Sequence, residues 1–128
     1  MRLKHSIIVQ IGDDAEMKDL LFSTDATLAQ VQIDGFQRAN IAKVNVAAAG
    51  TESLPLGDVD VVKGFYLKVD QEAVVRLNGS SDDIQLRKGA SASHAKLFME
   101  IDLSAIEVDA PATSVTTGIF VVWGDPSA

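Results

Sequence analysis

The stretch that decides the fold is GFYLKVDQEAVVRLNGSSDDIQL, Gly64–Leu86. Phe65, Leu67 and Val69 alternate with Tyr66, Lys68 and Asp70. After a short polar break, Ala73, Val75 and Leu77 alternate with Val74 and Arg76. Such alternation marks half-buried strands, because successive β side chains point to opposite faces of a sheet. Asn78-Gly79 supplies two residues that tolerate positive φ, so a turn is expected there. Ile84–Leu86 then opens a third strand. The polar groups gathered here look at first like a site. The alternation assigns most of them to outer strand faces, so the stretch reads as the central hairpin of a sandwich.

The same period runs outward along the chain. Ile7, Val9 and Ile11 share one face, as do Ala29, Val31 and Ile33, and Val44 and Val46. Leu97, Met99, Ile101 and Leu103 form another set, followed by Ile106 and Val108. In the last strand Val115, Thr117, Ile119, Val121 and Trp123 share one face. Turn residues separate these segments: Asp34-Gly35, Gly50, Pro55 to Gly57, Gly89 and Ala110-Pro111. Eight to ten short strands with such punctuation predict an all-β chain: a single β-sandwich or jelly-roll-like barrel with short strands and little helix. One domain over residues 1–128 is expected, with residues 1–12 as an N-terminal arm or edge strand. Asp13–Leu21, DDAEMKDLL, is the best short helix, capped by Asp13 or Asp14. Lys88–Lys96 and Val108–Ser114, small and polar, read as mobile loops.

Composition narrows the function classes. The 128 residues are 47% apolar and contain no Cys, which excludes disulfides, thiolate nucleophiles and Cys-based zinc sites. Net charge is -7, from 18 acids against 11 bases spread along the whole chain. Nucleic acid is not an expected partner, since phosphate neutralisation needs clustered Lys and Arg. No apolar run approaches the ~20 residues of a membrane helix, and Gln10 and Gly12 interrupt the N-terminal run, so no membrane association is expected.

Catalytic signals are absent. No serine stands in a G-x-S-x-G elbow, and there is no phosphate-binding glycine motif. His5 and His94 are far apart, and no third ligand is arranged with them. Asp82-Asp83 lacks the D-x-D-x-D-G spacing of a calcium loop and reads as a surface turn. No catalytic residue, cofactor or metal is therefore assigned, and the chain is not expected to be an enzyme.

What stands out is apolar residues on both faces of several strands. Tyr66, Val74, Phe98, Phe120 and Val122 face away from the main apolar sets of their strands. The outer face of a monomeric sandwich is expected to be polar, so a covered face is implied. Tyr66, Val74, Arg76, Phe98 and His94 are the candidate assembly surface, Arg76 because arginine is favoured at interfaces.

The order of segments carries a resemblance. LPLG at 54–57 precedes VKGFYLKVDQEAVVRLNG at 62–79; DIQL, KLFMEIDLSAIEV and a terminal GIFVVWGD follow. This resembles small β-sandwich virion proteins of tailed bacteriophages, over about residues 50–125. The resemblance implies a capsid decoration or cement protein that stabilises the head. It implies the major capsid protein or other virion proteins as partners, and a homo-oligomer, with a trimer favoured. It implies synthesis in the host cytoplasm and residence in the virion. It carries no functional residue over as a motif. Alternatives of the same origin are a head–tail or tail accessory protein and a carbohydrate-binding or host-attachment module. The last would use Tyr66 or Trp123 for stacking on sugars.

Overall fold

A computed structural model describes residues 10–12, 20–23, 36–89 and 92–127, the first two segments by backbone alone. The chain divides into two compact units, Met1–Gly35 and Phe36–Ala128. In the first, β1 (Gln10–Gly12) pairs antiparallel with β2 (Leu20–Ser23), with Ile11 opposite Phe22. The expected helix over Asp13–Leu21 falls outside the described residues except for Leu20 and Leu21, which lie in β2. Most of the N-terminal arm and the strand expected around Val31 lie outside them too.

The second unit is all β. Its strands are β3 (Arg38–Val46), β4 (Thr51–Ser53), β5 (Val61–Val69), β6 (Val74–Leu77), β7 (Ile84–Gln85), β8 (Ala95–Met99), β9 (Ile106–Asp109) and β10 (Thr116–Asp125). They form two antiparallel four-stranded sheets, β3-β10-β5-β8 (the β10 sheet) and β4-β9-β6-β7 (the β9 sheet). Among the described strands of this unit, only β6 and β7 are consecutive partners within one sheet; every other connection crosses between sheets. The architecture is a β-sandwich, and no helix occurs among the described residues.

The core between the sheets follows the alternation. Val44, Val46, Phe65, Leu67 and Val69 come from the β10 sheet, and Val75, Ile106 and Val108 from the β9 sheet. All are at most 2% exposed. The last strand is buried on both faces from Phe120 to Trp123. Phe120 and Val122 belong to this core, and the Phe120 ring lies 6.0 Å from that of Phe65. Val121 and Trp123 project from the opposite face, yet they too are buried. A strand apolar on both faces gives no local signal of which side turns inward. Pairing with β5 decides it, because Phe120 stands opposite the inward Leu67 and Val121 opposite the outward Tyr66.

One irregularity resets the start of β5. A single step on β10, Trp123 to Gly124, spans two on β5, Gly64 to Val62. The extra residue is Lys63. The bulge lets Lys63 reach solvent and Asp125, at 3.0 Å, instead of pointing into the core. It also turns Val62 inward, at 3% exposure, and leaves Val61 outside, at 49%.

The turn at Asn78-Gly79 forms as expected, with φ of 56° and 71° and Ser80 N donating to Leu77 O. The Asn78 side chain also ties down the loop before β9: its Nδ2 donates to Asp102 O, and its Oδ1 accepts from Ser104 N at 2.7 Å. Val108–Ser114 is less of a loop than expected. Val108 and Asp109 belong to β9, and Ala110 N donates to Gly50 O.

Candidate functional site

The five candidate surface residues do not form one surface. Tyr66 and Phe98 lie on the outer face of the β10 sheet, and His94 immediately precedes β8. Val74 and Arg76 lie on the outer face of the β9 sheet, opposite Asp109 and Glu107 respectively. Tyr66 is not on the surface at all: it is fully buried.

The outer face of the β10 sheet is built in rows, because directly paired antiparallel residues point the same way. One row runs Ile41–Val121–Tyr66–Phe98 across β3, β10, β5 and β8. Val121 and Tyr66 are sealed, Phe98 is half-buried, and Ile41 is 41% exposed. The next row toward the start of β5 places Trp123 over Gly64, with the Phe98 ring 5.7 Å from the indole. Burial pushes the Tyr66 hydroxyl up to about 12, and that hydroxyl has no hydrogen-bond partner among the described residues.

On the other side of this apolar row stands a basic one. Lys43, Ile119, Lys68 and Lys96 face each other in register across the same four strands. None of the three lysines takes part in a salt bridge among the described residues. Beside them, burial and the charge of Lys68 push His94 below its ordinary value, while Asp70 opposes the shift. Asp70 is itself raised by burial. Hydrogen bonds from Thr117 N and Oγ1 outweigh that, so its carboxyl titrates below the usual range.

Arg76 is the hub of the other outer face. Its guanidinium reaches Asp109 at 2.6 Å, Asp83 at 3.2 Å and Glu107 at 3.6 Å. Hydrogen bonds to Asp109 and Asp83 raise it further above its ordinary range. Thr51 Oγ1 also donates to Asp109, which together with Arg76 holds that carboxyl low. Arg76 thus has its acids within its own chain. That is the structural ion-pair arrangement of an outer sheet face, and it occupies the groups an interface would use.

A shallow groove of about 380 Å³ opens where β5 begins, lined by Asp60, Val61, Val62, Asn78, Asp102, Leu103 and Ser104. Asp60 accepts from Ser127 N, and neither Asp60 nor Asp102 has a cation among the described residues. Among the described residues no three His, Asp or Glu side chains gather as ligands for a metal ion.

No family model, curated protein or solved structure matches the chain. No helix among the described residues is long and apolar enough to cross a membrane.

The basic row and the groove escaped the sequence reading. Lys43, Lys68 and Lys96 are separated by more than twenty residues each, and nothing in their local sequence pairs them. The available signal was the alternation itself, which places each lysine outward, but register alone brings them into one row.

Proposed function

We propose that the protein is a structural component of a tailed-bacteriophage virion, a capsid decoration or cement protein that acts by binding. The observation that carries this reading is the outer face of the β10 sheet. A free-standing sandwich is expected to show a polar outer face. Here the outer row is sealed at Val121 and Tyr66 and open at Ile41, which stands beside three lysines that form no salt bridge among the described residues. An exposed apolar residue set among such lysines suits a contact steered by charge. The order of segments around VKGFYLKVDQEAVVRLNG supports the same reading through its resemblance to small virion proteins.

The work would be mechanical. A rigid sandwich laid across capsid subunits adds binding free energy that exists only in the assembled shell, so the shell resists expansion. The major capsid protein and further copies of the chain are the expected partners. Sugar binding is the weaker reading, because its two stacking rings are hidden: Tyr66 is 0% and Trp123 1% exposed.

The test is direct. Purified particles should contain the protein, and the isolated chain should rebind particles that lack it and raise their resistance to heat. Absence from particles together with failure to bind them would remove the proposal.

A further inference from the structure

Charge is separated along the β10 sheet. At one end, Lys43, Lys68 and Lys96 stand in a single row. At the other, where β5 begins, the groove carries Asp60 and Asp102. From Val61 to Lys68, β5 runs about 23 Å at ~3.3 Å per residue, so the two patches are well apart.

Neither patch forms a salt bridge among the described residues: Asp70, which acts on the same His94 as Lys68, accepts from Thr117, and Lys63 beside the groove reaches Asp125. Lys68 directly opposes Lys96, and like charges in facing positions of a sheet repel. No acid comes within salt-bridge distance of the row among the described residues, although the chain as a whole carries -7. Each patch also has an exposed apolar neighbour: Ile41 two residues before Lys43 on the same face of β3, and Val61 in the wall of the groove.

We propose that the protein associates with copies of itself head to tail, the lysine row of one copy docking on the Asp60–Asp102 groove of the next. The inference rests on the assembly reading above and specifies its self-contact. The signs of charge exclude contacts between like patches. A two-fold contact through the lysine row sets Lys against Lys, and one through the groove sets Asp against Asp. The complementary contact joins two different patches; repeated head to tail, it closes into a ring where the rotation allows and otherwise runs on as an open filament. A closed ring or an open filament of copies is expected, and it loosens with salt.

Analytical ultracentrifugation of the full chain tests this. The expected result is an oligomer at low salt that dissociates near ~1 M salt, where the Debye length is about 3 Å. The pair Lys68→Glu and Lys96→Glu weakens association about tenfold or more, as does the pair Asp60→Lys and Asp102→Lys. Mixing the two charge-reversed proteins restores association between unlike copies, alternating in an open chain or an even-numbered ring, because each supplies the sign the other lost. Circular dichroism checks folding, and Lys68→Gln with Lys96→Gln replaces any variant that does not fold. A wild-type chain monomeric at every concentration overturns the inference, as does an oligomer indifferent to both pairs or a mixture that fails to recover. Particle binding is read separately. A monomer that still binds particles removes the self-contact and leaves the virion reading standing. An oligomer that obeys the charge swaps but binds no particle does the reverse.

Discussion

The indole of Trp123 lies across Gly64, with its Cζ2 2.5 Å from the point that a Cβ on that glycine would occupy. The two residues face each other in register on β10 and β5. Glycine is required at 64 for the space above its Cα, since any side chain must displace a ring that is 1% exposed. Gly64→Ala is expected to destabilise the fold by about 1–3 kcal/mol through overpacking, and Gly64→Val by more. Urea unfolding followed by the fluorescence of the single Trp checks this. An unchanged midpoint for Gly64→Val would show that the indole moves aside freely.

Tyr66 makes the opposite prediction, that a deletion helps. Its hydroxyl is buried without a partner, and a buried polar group without a hydrogen bond opposes folding. Tyr66→Phe should leave stability unchanged or raise it by about 1 kcal/mol, whereas Tyr66→Ala should lower it by about 3–5 kcal/mol. The chain has one tyrosine, so phenolate absorbance reports this residue alone. It should ionise only near about 12 in the folded state. The unfolded phenol ionises near ~10, so the contribution is intact below ~10 and lost as pH rises through 12. Tyr66→Phe should remove that part of the alkaline loss.

Asp109 governs acid behaviour on the other sheet. Its carboxyl is held low by Thr51 and Arg76. The stabilisation is present above the unfolded value near ~3.9 and lost as pH falls through the lower folded value. Asp109→Asn should lower the urea midpoint at neutral pH and flatten its dependence below about pH 4. Asp83→Asn should do much less, since Asp83 is 51% exposed. Urea midpoints measured across the acid range for the three proteins decide it; equal effects of the two substitutions would place the hub elsewhere.

His94 reports on the basic row. Burial lowers its value first and Lys68 next, with Lys96 and Lys88 adding and Asp70 opposing. Lys68→Met should therefore raise the His94 titration midpoint, and Asp70→Asn should lower it further. Proton NMR of the imidazole, with His5 as the second histidine signal, measures both shifts. No movement on Lys68→Met would mean that the lysine lies farther from the ring than the register implies.

The contrast among strands shows how much the chain declares locally. In β3, β5, β6 and β9 the inward residues are those the alternation names, such as Val44 and Val46, Phe65 and Leu67, Val75, and Ile106 and Val108. In these strands the inward set is the more continuously apolar one, against outer faces that carry Lys43, Lys68, Arg76 and Glu107 beside Ile41, Tyr66 and Val74, so one orientation is favoured. The Asn78-Gly79 turn was equally legible, because positive φ is a property of those residues themselves. The candidate site was legible only in part. Tyr66 and Phe98 do share a face, but Val74 and Arg76 belong to another sheet, and the chain's alternation does not say which strands become neighbours.

The sequence by itself therefore determined an all-β sandwich, its turn at Asn78, and most of its inward residues, because period-two alternation and turn chemistry act over a few residues. Tertiary structure alone decided three things. It turned Phe120 and Val122 inward in a strand apolar on both faces. It placed the bulge at Lys63 that exposes Val61. It also gathered Lys43, Lys68 and Lys96 into one row, through the register of strands distant in sequence. Pairing register is a long-range quantity, set by which strands lie side by side, and no local pattern encodes it.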